Sequence, residues 1–251
     1  MKDGDIIKEL EGFDAGRQLA VIKKLGGKNG LEAFLRDELV VVEKNKTSIV
    51  SGNSLNGGIS FAVPVPQVPD PKLFLDEMAE FYGKVYNIAK LPKVSLPIVV
   101  PGFCWGLVMV PGITIEQDLA ACQKDYEVWR WTEDNLDNIV KSTRSADKPY
   151  AIWLRDRQEA DQELKNKSFN DLEKLGIPGI TLAERIRLER WFFWRTNEHL
   201  DIQNVTLCTG SRSSDGDVPG VDWDSDFRRL SVSWCGSGDA DSGLRSRQAV
   251  S

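Results

Sequence analysis

The C-terminal segment Ser211 to Ser251, SRSSDGDVPGVDWDSDFRRLSVSWCGSGDADSGLRSRQAVS, constrains the fold more than any other stretch. It is built largely from Ser, Asp, Gly and Arg and holds no Lys, Asn, Tyr or His. Apolar residues recur through it at Val218, Val221, Trp223, Leu230, Val232, Trp234 and Leu244, with small polar residues between them. Alternation of this kind fits strands that send every second side chain toward a core and the others to the opposite face. The segment reads as a fixed frame displaying a changeable polar surface.

If Val221 to Asp224 and Leu230 to Cys235 are strands, Val221, Trp223, Leu230, Val232 and Trp234 share one face. Asp222, Asp224, Ser231, Ser233 and Cys235 then share the other, joined by the loop residues Asp226, Arg228, Ser237, Asp239 and Ser242. With Ser213 these form the candidate ligand-binding surface. Such a patch offers many hydrogen-bonding groups and little side-chain entropy to lose on binding, the logic of polar, adaptable paratopes. Large anchors such as Tyr are missing from it, which predicts weak binding by this particular sequence. Trp223, Trp234, Leu244 and Arg245 read as frame, and Arg245 and Arg247 are expected to pin the loop to a carboxylate. The plainer reading is a solvated hairpin that closes the domain.

A chain of 251 residues suffices for one large domain or two small ones with a substantial core. Its 41% hydrophobic and 28% charged residues are those of a globular protein. A net charge of −6 argues against a phosphate-binding surface, so no nucleic-acid partner is expected. The opening MKDGDIIKELEGFDAG has acidic residues throughout and no apolar run, so no signal peptide is expected, and the protein is expected to be cytoplasmic or virion-associated. The uncharged stretch Leu96 to Ile113 carries Pro97, Pro101 and Pro111, so it reads as buried strands with a turn and no membrane span. Cys104, Cys122, Cys208 and Cys235 form no CxxC pair and have no His at metal spacing, so they read as buried thiols, Cys235 the exposed exception.

The pattern places an N-terminal helical module at residues 1–45 and one larger domain at 46–251. In the module, FDAGRQLAVIKKLGG sets Phe13, Leu19, Ile22 and Leu25 on one helical face, and GLEAFLRDELVVVEK reads as a second short helix. Neither carries catalytic side chains, so an oligomerisation or attachment role is expected, with a possible homo-oligomer. The following KTSIVSGNSLNGGISFAVPVPQVPDP reads as turns and short strands, with Asn56-Gly57 able to close a hairpin. Next, PKLFLDEMAEFYGKVYNIAKL spaces Phe74, Met78, Phe81 and Val85 as a helix ending before Pro92.

Further on, YAIWL (Tyr150 to Leu154) reads as a strand and Arg157 to Leu175 as a charged helix stopped by Gly176-Ile-Pro-Gly179. Thr181 and Glu184 form a capping box that opens another helix. Its apolar residues Leu182, Ile186, Leu188, Trp191, Phe192, Phe193 and Trp194 span more than one stripe, so it is expected to be largely buried, with Arg185, Arg187 and Arg195 at the margins.

This succession of ITLAERIRLERWFFW, a Cys-Thr-Gly-Ser-Arg stretch, LSVSWCG and DADSGLRSR resembles the C-type lectin fold in its formylglycine-generating-enzyme-like branch, over roughly residues 150–251. Within that branch the chain is similar to the variable proteins of diversity-generating retroelements, whose diversified segment lies at the C-terminus. Those systems copy a template RNA with errors at adenines, turning AAC-type codons into codons for Asp, Ser, Gly, Cys, Tyr or His. A segment without Asn or Lys, dominated by Ser, Asp and Gly, suits that origin. The resemblance implies an α+β chain: a C-type lectin-like domain with small antiparallel sheets and two main helices, preceded by the short helical module. It implies recognition of changing protein or cell-surface targets through a variable region at about 211–251, with no chemical step, cofactor or metal.

Two other readings stand beside it. Asp215, Asp217, Asp222, Asp224 and Asp226 could supply oxygen ligands to calcium in a fixed-specificity lectin-like domain, although the spacing is not that of an EF-hand and no bidentate Glu follows. Cys208 and Cys235 fall in the region where a formylglycine-generating-type oxidase carries its active cysteines. No GxSxG, Walker, HExxH or GxGxxG motif is present, and the single histidine, His199, reads as a capping or core residue.

Overall fold

The computed structural model describes residues 70–251 together with two short strands, β1 (Val40–Val41) and β2 (Phe61–Ala62). The chain divides into two compact units, Met1–Gln67 and Val68–Ser251. In the first unit β1 and β2 pair antiparallel, with Val40 opposite Ala62 and Val41 opposite Phe61. The expected second helix ran through Val40 and Val41; these β-branched residues take a strand instead. The rest of the helical module and the Asn56-Gly57 hairpin lie outside the described residues, and the β1–β2 pair joins positions on either side of the expected 45/46 boundary.

The second unit is mixed α and β. Helix α1 (Pro71–Tyr86) opens with Asp70, whose side chain accepts from the backbone N–H groups of Lys72 and Leu73, and with Pro71 where no intrahelical donor is needed. It buries Phe74, Met78, Phe81 and Tyr82, and it ends at Asn87 in the left-handed region (φ 56°), ahead of Pro92. The expectation of buried strands across Leu96 to Ile113 holds only for β3 (Trp105–Met109). Upstream of it Ile98 is 88% exposed, in a run where Pro97 and Pro101 have no N–H to give a ladder.

Strand β3 pairs antiparallel with β6 (Tyr150–Leu154), the strand expected after Pro149. Gly106 of β3 lies under the tilted Phe74–Trp153 ring pair, so a Cβ there would overlap both rings. Between these strands come α2 (Ile115–Cys122), opened by a Thr114–Gln117 capping box, then β4 (Glu127–Arg130), α3 (Leu136–Ile139) and β5 (Val140–Ser142).

Arg157 to Leu175 is not one helix. A single 3₁₀ turn at Gln162–Leu164 is separated from α4 (Phe169–Lys174) by Asn166 in the left-handed region (φ 57°). Ser168 and Asp171 form a fresh capping box, so the local backbone hydrogen bonds go to caps and not to a continuous helix.

Helix α5 (Leu182–Thr196) begins with the Thr181–Glu184 capping box the sequence announces. Its burial goes further than the apolar residues require: Arg185 and Arg187 are fully buried, not marginal. Each has a carboxylate, which is what makes burial of a charge tolerable. Arg187 grips Asp118 of α2 with two bonds, Nε to Oδ1 at 3.0 Å and Nη2 to Oδ2 at 2.7 Å. Arg185 donates to Asp201 and to Glu189, and Glu184 receives Arg144 and the Tyr150 hydroxyl.

After α5 follow β7 (Val205–Leu207), β8 (Ser211–Ser213), β9 (Val218–Asp224), β10 (Arg229–Cys235) and β11 (Leu244–Ser246). The main sheet has the order β11-β7-β9-β10-β4, and β5 and β8 form a separate pair. The small sheets are not all antiparallel. The β11–β7 and β10–β4 contacts are parallel, because the chain reaches each edge strand by a long excursion instead of a hairpin. Among the described residues no helix is long and apolar enough to cross a membrane.

Candidate binding surface

Strands β9 and β10 pair antiparallel, Leu230 opposite Trp223, Ser231 opposite Asp222, Val232 opposite Val221 and Cys235 opposite Val218. Opposed residues in such a ladder share a face. Val221, Leu230 and Val232 are therefore core, with Trp223 and Trp234 half-buried beside them. Asp222, Asp224, Ser231, Ser233 and Cys235 line the other face, as the alternation requires.

On the core side Trp223 lies nearly parallel to the His199 ring (5° between planes), and His199 in turn stacks on Phe193 and bonds Glu189 through Nδ1 at 2.9 Å. The histidine is thus part of the packing. Arg247 donates to Asp201 at 2.7 Å and to the carbonyls of Arg157 and Gln158, the expected carboxylate pin. Among the described residues Arg245 donates to the Ala160 carbonyl, at 3.4 Å, and to no carboxylate.

The candidate surface residues differ in their settings. Ser231 is only 9% exposed, because it sits mid-sheet between the larger Asp222 and Trp129 in register. Cys235 is half-buried and packs against a second small cluster of Phe169, Leu207, Val218 and Leu244, so it is not the exposed thiol expected; Cys104 is exposed to a similar degree. Burial pushes the Cys235 thiol up to about 11, with Asp239 and Asp241 adding to the rise. Ser213 belongs to the β5–β8 pair, where its hydroxyl accepts from the N–H groups of Asp215 and Asp217, a turn-forming role away from the sheet face.

Asp226 and Arg228 are exposed on the β9–β10 turn, Arg228 in the left-handed region (φ 52°). In the loop before β11, the Asp239 carboxylate accepts from Gly236 N–H at 2.6 Å and Asp241 does the same for Gly243, so these acids brace the loop, while Ser242 is exposed. The Ser237 carbonyl accepts from Asn170 at the start of α4.

Asp222 is the electrostatic exception on the sheet face. Burial raises its carboxyl to about 6; Asp224 and Asp201 push the same way, and Arg185 and Arg229 oppose them. Among the described residues no hydrogen-bond donor or cation pairs with it. Asp224 is engaged, accepting from Phe227 N–H at 3.2 Å and facing Arg229 Nε at 3.5 Å.

The residues that sequence reasoning missed come from β4. Parallel pairing of β4 with β10 sets Glu127 beside Arg229 and Trp129 beside Ser231, and the ladder continues as Trp131 N–H donates to the Val232 carbonyl. Trp129 and Trp131 meet edge to face, 5.9 Å between ring centres. Trp131 is 71% exposed and Phe227 65%, and the Arg229 guanidinium lies over Trp129 (5.0 Å) and Phe227 (4.5 Å). The face therefore carries large aromatic anchors, Trp129 and Trp131 from outside residues 211–251 and Phe227 from the turn within them. The signal for the two tryptophans was the period-two pair in EVWRW.

Among the described residues no three His, Cys, Asp or Glu side chains converge where they could hold a metal ion, so Asp215, Asp217, Asp222, Asp224 and Asp226 do not make a calcium cage. Cys208 is buried in the main core while Cys235 borders the second cluster, and burial raises both thiols, the opposite of what thiolate chemistry needs. No family model, curated protein or solved structure matches the chain.

Proposed function

We propose that this protein is a binding protein whose recognition surface is the polar face of β9 and β10 with the adjoining turn and loop, diversified by a retroelement on a C-type lectin-like domain. One observation carries the reading: in the β9–β10 register Val221, Leu230 and Val232 face the core, while Asp222, Asp224 and Ser233 stay partly exposed on the opposite face. Several neighbouring features support it. The short segment Leu244–Ser246 returns to the sheet edge, and Arg247 just after it is tied to α5 through Asp201. A surface held at both ends in this way keeps its backbone while side chains change. The mechanism is recognition, with no chemical step, and the target is a protein or cell-surface molecule.

A scan of single substitutions over residues 211–251, sorted for folded protein, tests the division. Leu230→Ala should cost about 2–5 kcal/mol. Asp226→Asn and Ser242→Asn, both on exposed positions, should stay within about 0.5 kcal/mol. Equal losses at both sets would overturn the reading.

A further inference from the structure

We infer that the sheet face docks a basic, lysine- or arginine-bearing segment of a protein partner, seated between the exposed Trp131 ring and the unpaired Asp222 carboxylate. The inference rests on the binding reading and names its partner's chemistry.

Register places the elements of this site. Across the sheet run Trp129, Ser231 and Asp222 in one row and Glu127, Arg229 and Asp224 in the next. The two small serines, Ser231 and Ser233, lie in the middle of these rows, and the Val205 and Cys235 side chains close in on Gly220, opposite Ser233. Trp131, following β4, stands on one side of the β10 serines and Asp222 on β9 on the other.

Charge decides what fits. Glu127, Asp222 and Asp226 have no cationic partner among the described residues, and Asp224 is shared with Arg229. Arg229 is already spent on that carboxylate and on the Trp129 and Phe227 rings. Arg228, exposed on the turn, is a cation without an ion-pair partner among the described residues. An acidic partner would meet three carboxylates without an ion pair among the described residues against the free cation of Arg228, whereas a lysine or arginine meets both a carboxylate and an open aromatic face. Cation–π contact adds to ion pairing at such a site, and exposed tryptophan beside desolvated charge is the composition of an interface hot spot.

The test is selection of short random peptides on the immobilised full-length protein, with peptides sequenced before and after. The expected pool is enriched in Lys and Arg, and its binding falls by about tenfold or more on the Trp131→Ala protein and on the Asp222→Asn protein. Asp147→Asn, a remote exposed carboxylate, should leave binding unchanged, which separates docking from general attraction to an acidic protein. Trp131 is exposed and Asp222→Asn is isosteric, so both variants should fold, and their circular dichroism is recorded alongside. Neutral or acidic peptides whose binding still depends on Trp131 would overturn the basic partner while leaving the binding surface standing. Enrichment indifferent to both substitutions, or no enrichment over bare support, would overturn the inference.

Discussion

Arg247 donates to one oxygen of the Asp201 carboxylate at 2.7 Å while Arg185 of α5 donates to the other at 2.9 Å. One buried acid thereby joins the segment after β11 to α5. Strand β11, which ends just before Arg247, is the edge strand of the sheet that carries the candidate surface.

Removing the acid should leave buried Arg247 with carbonyl acceptors alone and buried Arg185 with Glu189 as its one carboxylate. Asp201→Ala is expected to cost about 3–5 kcal/mol, and Arg247→Ala a comparable amount. Arg195→Gln, at an exposed pair 3.6 Å from Glu77, should cost under about 1 kcal/mol. Urea unfolding measures all three, and equal costs would show that Asp201 has no special place.

Asp222 makes stability depend on pH with a definite sign. Its carboxyl is raised to about 6, above the ordinary value of 3.8, so the folded state holds the proton more tightly than the unfolded state does. The resulting stability is full below about pH 4 and lost as pH rises through about 6. Asp222→Asn removes this dependence. It should match the parent near pH 4 and exceed it at pH 8 by on the order of 1 kcal/mol, discounted for the solvent that reaches the group. Thermal melting across that range checks it; a variant less stable at pH 8 would mean that the carboxylate is paired.

Gly106 tests the packing beneath the other sheet. Alanine there would push into the Phe74 and Trp153 rings, at an expected cost of at least about 1–3 kcal/mol. Combining it with Phe74→Leu, which makes room, should recover part of the loss.

What the sequence announced was local. The Thr181–Glu184 cap, the YAIWL strand and the alternation from Val218 to Cys235 each have a signal a few residues long, and each took the expected form. What it hid was set by partners far along the chain. Arg185 and Arg187 look like surface residues until Asp201 and Asp118 are brought to them. Trp129 and Trp131 join the face only because β4 pairs in parallel with β10, a register no local pattern encodes. The charged run from Arg157 fails as a helix because Asn166 and Ser168 break it from within.

The most direct test of the account is to sequence the 3′ end of this gene in many copies from its source population, together with any near-identical repeat and reverse transcriptase gene beside it. The account predicts substitutions concentrated at the codons of positions such as Asp222, Asp224, Ser231, Ser233, Ser237 and Ser242, traceable to template adenines, with Val221, Leu230, Val232 and Arg247 unchanged. An invariant segment with no neighbouring template would contradict it.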